Sequence, residues 1–199
     1  MNEMPSRSGP KPEDVIKLHQ EVNQIMQERL AVTTSAVLAF AAIISWSLTR
    51  LPANGARPDT GFFYSIGIGL NFVLGALLFL NLSLKRYARV LTTYLRVTKA
   101  SVWEEHWAAF HGAKASYMSY TFPQVCVFLF LVLISTSVPC LIALSHNHSF
   151  DPTWPFVLDL GTGGVVLWYI VWVLRDGEEK YESNLLVKWR GVLNQKTGA

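Results

Sequence analysis

The chain has 199 residues, 51% of them apolar and only 16% charged, with a net charge of +3. That balance is too apolar for an ordinary soluble domain of this length. The two cysteines, Cys126 and Cys140, lie fourteen residues apart in one apolar stretch. On a helix that is about 21 Å, so they cannot bridge, and an extracellular disulfide domain is excluded.

Residues 1–12 hold three prolines, one glycine and no apolar period, and read as a disordered tail. From there Val15, Leu18, Val22, Ile25, Arg29 and Val32 recur every three or four residues, which draws one stripe along a helix. This segment, 13–29, meets the first long apolar stretch, 30–51, with no Gly or Pro between them. One helix from about Glu13 to Leu51 is expected. Its first part is too short to stand alone, so the stripe must pack on another helix of the chain or on a partner.

Three more apolar stretches follow, at 62–84, 122–145 and 155–174. Each of the four is long enough to cross a hydrocarbon core of about 30 Å. Stretch 30–51 starts too far from the N-terminus for a cleavable signal peptide. The connector 52–61 is rich in turn residues, and Asp151-Pro152 reads as a helix cap followed by a first-turn proline. Between the second and third stretches, 85–121 reads as helical. Tyr87, Leu91, Tyr94, Leu95 and Thr98 are expected on one face. A capping box at Ser101–Glu104 opens a further helix carrying Trp103, Trp107 and Phe110. The tail, 175–199, has Tyr181, Leu185, Trp189 and Val192 at helical spacing.

Charge gives the topology. Arg50, at the end of the first stretch, and Arg57 count with the first loop and none with the third, while the other fifteen of the 17 Lys and Arg lie before the first stretch, between the second and third, or after the fourth. Short loops rich in Lys and Arg stay on the cytoplasmic side. The expected fold is an all-α integral membrane protein with four transmembrane helices. Both termini are cytoplasmic, and amphipathic helical extensions lie on that side. A plasma membrane or a bacterial inner membrane would suit it.

Few residues carry chemistry. Asp159 is the only carboxylate inside a span, about 6 Å below the outer end by rise per residue, near Ser47 and Ser65 in depth. Asn71 is deeper, level with Thr136 and Ser137. Gly67, Asn71 and Gly75 form one face, with Gly161, Gly163 and Gly164 at comparable depth. Pro139 is expected to kink the third span. Asp159, Asn71 and Ser137 therefore stand as packing or transport candidates. His146, His148 and Asp151 are a weak candidate for a divalent metal, short of a full ligand set. Phosphate-binding loops, nucleophile elbows and paired Cys-x-x-Cys motifs are absent, so no enzyme and no cofactor is expected.

The first expectation for function is association. Val15, Leu18, Val22, Ile25, Trp103, Trp107, Phe110, Leu185 and Trp189 would form a cytoplasmic interaction face, engaging copies of the chain or a protein partner. The protein would then act as a scaffold, accessory subunit or membrane effector. The alternative is an oligomeric ion channel or small-solute transporter using Asp159 and Asn71, and a membrane enzyme comes third. The lipid bilayer is the one certain neighbour of such a chain, and no nucleic acid is expected to bind.

Overall fold

A computed structural model describes residues 11–52, 59–98, 121–147, 154–176 and 179–197. Among the described residues all regular structure is helical, with no strand. The helices are α1 (Pro12–Leu48), α2 (Thr60–Val97), α3 (Thr121–Asn147), α4 (Trp154–Asp176) and α5 (Glu179–Thr197). The first four are long and apolar enough to cross a membrane.

The helix ends follow from local chemistry. Pro12 opens α1, and the Lys11 carbonyl accepts from the backbone N–H groups of Asp14 and Val15. Glu13 and Asp14 place negative charge where the first-turn N–H groups point. α1 ends at Leu48, three residues short of the expected Leu51. Thr49, Arg50 and Leu51 instead make tight bonds to the carbonyls three residues back, and the Thr49 hydroxyl donates to the Trp46 carbonyl at 2.7 Å. Pro52 then biases Leu51 away from helical geometry. At the start of α2, Asp59 Oδ1 accepts from the Phe62 N–H at 3.2 Å. Asp59 is therefore an N-cap, a role its loop position alone did not suggest.

The chain divides into two compact units. One holds Leu30–Leu82 and Tyr120–Arg175 and contains the apolar core. Leu70, Leu74, Leu78 and Leu82 run along α2 at intervals of four and are buried with Ala36 and Phe40 of α1, Val125, Phe128, Leu131 and Val132 of α3, and Ile170 of α4. A polar bond from Asn81 Nδ2 to Thr33 Oγ1, at 3.0 Å, ties α1 to α2 in this unit. The exterior of this unit is apolar too: Leu38, Phe72, Phe79, Phe130, Leu141 and Trp168 are all exposed. Such a surface suits lipid, and the buried polar groups are then the exception to explain.

The other unit comprises Met1–Arg29, Ser83–Ser119 and Asp176–Ala199. Within it Val15, Leu18 and Val22 are half-buried and Ile25 and Arg29 fully buried, so the stripe of α1 faces its own unit. On α2 the buried row is Lys85, Ala88 and Leu95, together with Thr93. Tyr87, expected on that row, is exposed at its edge, where its hydroxyl donates to Glu21 Oε1 at 2.6 Å. On α5 Leu185 and Trp189 are half-buried, and Leu193 takes the inward place expected of Val192, which is exposed. Trp189 packs on Tyr94 with ring centroids 4.9 Å apart, and the Arg86 guanidinium lies 5.8 Å from the Tyr181 ring. The expected tail 1–12 falls outside the description except for its last two residues. So do the expected cap at Ser101, Trp103, Trp107 and Phe110, and the cap at Asp151-Pro152.

Candidate functional site

α2, α3 and α4 are apolar over most of their length, yet each turns polar residues to one place in the core. α2 brings Gly67 and Asn71, α3 brings Ser135 and Thr136, and α4 brings Asp159 and Thr162. Asn71 is 0% exposed and Asp159 1%. Asn71 Nδ2 donates to Asp159 Oδ1 at 3.1 Å, and lies 3.4 Å from Thr136 Oγ1 and 3.5 Å from Thr162 Oγ1. The Ser135 hydroxyl donates to the Gly67 carbonyl at 3.3 Å. Tyr64 and Cys140 lie within electrostatic reach of Asp159.

Two glycines make this approach possible. A Cβ on Gly67 would sit 2.7 Å from Asp159 Oδ1, so the carboxyl packs directly on the α2 backbone. A Cβ on Gly163 would collide with Thr136 Oγ1 and stand 3.4 Å from Asn71 Nδ2. Further along, Gly75 faces Val166. The pairs 67 with 159, 71 with 162 and 75 with 166 advance together, so α2 and α4 run parallel in register through the site. Gly161 and Gly164 were expected in the same contact. A Cβ at either would meet nothing within 4 Å, and both lie on the exposed side of α4.

The register also joins two residues expected at different depths. Asn71 lies eleven residues into α2 and Asp159 only five into α4. The six-residue difference is about 9 Å of rise, so α2 begins well before α4 along their shared direction. Ser47 and Ser65, expected at a depth similar to that of Asp159, donate to carbonyls of their own helices, Ile44 and Gly61, each at 2.8 Å. Ser137 is exposed on α3, and its neighbours Ser135 and Thr136 face the cluster. Pro139 is buried, and α3 runs through it as one helix.

Hydrogen-bond accounting separates this cluster from a satisfied polar core. Thr136 donates its hydroxyl hydrogen to the Val132 carbonyl and Thr162 donates to the Asp159 carbonyl, each at 3.0 Å. Both hydroxyl oxygens are left as acceptors. Asp159 contributes two more acceptor oxygens and Asn71 Oδ1 another, and Asn71 Oδ1 has no partner. The donors facing them are the two N–H bonds of Asn71 Nδ2. Among the described residues no cation pairs with Asp159. No family model, curated protein or solved structure matches the chain.

The other polar groupings offer less. No group of three or more His, Cys, Asp and Glu is placed to hold a metal among the described residues. His148 and Asp151 lie outside those residues, as does the side chain of His146. In the unit containing the N-terminus, Arg29, Lys85 and Arg89 come close enough to repel one another, although Arg29 and Lys85 are buried. Each of the three has further interactions. Beside them, Tyr87 is held above its ordinary pKa of 10.0 by its hydrogen bond to Glu21 and by that carboxylate's charge.

Proposed function

We propose that this chain is a multi-pass membrane protein that passes or exchanges a small ion through the Asp159–Asn71 cluster. The observation that carries the reading is a carboxyl group buried in the apolar core with one amide as its side-chain donor. A charge in such surroundings costs several kcal/mol unless it is neutralised, which a bound ion or proton does. Ionisable groups kept within spans mark ion paths and proton relays.

The test is reconstitution of the purified full chain into liposomes, with proton and alkali-cation flux followed under an imposed gradient. Flux that is present in the wild type and lost in Asp159→Asn supports the reading. Equal flux in the two, or none in either, removes it.

Association is a second reading, and one observation favours it in a changed form. The α1 stripe of Val15, Leu18, Val22 and Ile25 is turned into its own unit, as are Leu185 and Trp189. α4, in contrast, leaves Gly161, Gly164, Val165, Trp168 and Trp172 exposed at spacings of three and four. Small residues beside a large aromatic suit close packing of a second helix in lipid. An oligomer joined on this face would serve an ion path as well as a scaffold, and cross-linking of the full chain in membranes distinguishes monomer from oligomer.

A further inference from the structure

We propose that the Asp159–Asn71 cluster binds a single dehydrated monovalent alkali cation. This rests on the reading of the cluster as an ion site and names its ligand.

Five side-chain oxygens belong to the cluster, Asp159 Oδ1 and Oδ2, Asn71 Oδ1, Thr136 Oγ1 and Thr162 Oγ1, and three of them, Asp159 Oδ1 and the two threonine oxygens, lie within 3.5 Å of Asn71 Nδ2. Both threonine hydrogens point back to carbonyls of their own helices. Asn71 Nδ2 has only two hydrogens for three neighbouring acceptors, and Asn71 Oδ1 is buried with no partner. The site is rich in acceptors and poor in donors. Adding a proton to Asp159 cancels the charge, yet it supplies only one more donor. A cation can be held by several oxygens at once, and hard cations prefer oxygen ligands.

Charge fixes the valence. The cluster has one carboxylate, and no second acid or group of metal ligands joins it among the described residues. One negative charge in an apolar surround is balanced by one positive charge, whereas a divalent ion would leave an excess. The absence of a Cβ at Gly67 and Gly163 is the second structural sign. At these two positions the backbones of α2 and α4 press against the Asp159 carboxyl and the Thr136 hydroxyl, where any larger residue would intrude.

Binding is measured as thermal stabilisation of the purified full chain in detergent. Chloride salts of sodium, lithium and potassium are compared with choline chloride at equal ionic strength. At least one alkali cation is expected to raise the melting temperature progressively with its logarithmic concentration, and choline is not. Lowering the pH should weaken this effect, because a proton on Asp159 competes with the cation. Asp159→Asn is expected to abolish the shift, and Thr162→Val to weaken binding by about tenfold, as for loss of one ligating oxygen. Should Asp159→Asn not fold as a monodisperse species, Thr162→Val and Asn71→Ala carry the same comparison.

Identical melting in all four salts overturns the proposal, as does an alkali effect of equal size in the wild type and every variant. If flux is lost in Asp159→Asn while melting is indifferent to alkali cations, the ion path stands with protons alone and this assignment fails. If alkali cations bind but no flux depends on Asp159, the binding site stands and the passage reading fails.

Discussion

At the scale of single residues, two glycines differ from their neighbours by what lies above them. Gly67→Ala puts a methyl group 2.7 Å from Asp159 Oδ1, a separation at which one of the two must move. The carboxyl is buried and held by Asn71, so its displacement breaks the 3.1 Å bond. Overpacking of this kind costs roughly 1–3 kcal/mol. Gly163→Ala is expected to do the same through Thr136. Gly164→Ala meets nothing within 4 Å and should leave the melting temperature unchanged or raised. Thermal melting of the three variants in detergent checks the contrast, and equal melting would mean that α2 and α4 do not approach as described. Tyr87 gives a second prediction. Its phenol is stabilised in the protonated form by Glu21, so the folded state holds that proton more tightly than the unfolded chain does. The contribution is complete below the unfolded pKa of about 10 and is lost as pH rises through the folded value. Melting of the wild type should therefore decline faster than that of Tyr87→Phe above about pH 10. Parallel curves would show that the pair has no energetic role.

At the scale of elements, the helices were legible because their signals are local. Apolar runs of spanning length appear as α1 to α4, and the absence of Gly or Pro before Leu30 predicted that α1 would start well before its apolar stretch. The face formed by Gly67, Asn71 and Gly75 was legible for the same reason: spacing by four needs only one helix. What faces it was not. Asp159 and Asn71 are 88 positions apart, and the offset between the starts of α2 and α4 is a property of packing, absent from either segment alone. Helical rotation was equally hidden in α3. A helix apolar all round has no preferred face in its sequence, so Ser135, Thr136 and Ser137 are equivalent until neighbours choose among them. α2 beyond the span shows the opposite error. Aromatic spacing suggested Tyr87 as an inward residue, whereas the small Ala88 is buried and Tyr87 keeps its hydroxyl at the edge beside Glu21. Large amphipathic side chains can serve at such an edge, so their spacing alone does not identify the buried row.

At the scale of the whole molecule, the ion path requires that the two ends of the spans face different compartments, and charge is what assigns them. Fifteen of the 17 Lys and Arg belong to the segments expected inside, against Arg50 and Arg57 in the connector between α1 and α2. Moving a short basic loop across a membrane is disfavoured, so the expected orientation is one that all four spans share. Single cysteines can test it once Cys126 and Cys140 are replaced by alanine. Asp59→Cys, at the exposed start of α2, should react in intact cells with a membrane-impermeant maleimide. Lys17→Cys and Ser183→Cys, exposed on α1 and α5, should react only after the membrane is opened. Asp59 caps α2, so the exposed Thr49→Cys serves as a second outer probe that leaves this cap intact. Labelling of position 17 or 183 in intact cells would place the basic segments outside and reverse the direction of the proposed path. Labelling of all four positions only in opened cells would put both ends of α1 on one side. That outcome is incompatible with α1 as a span, and with an ion path whose two ends are separated by the membrane.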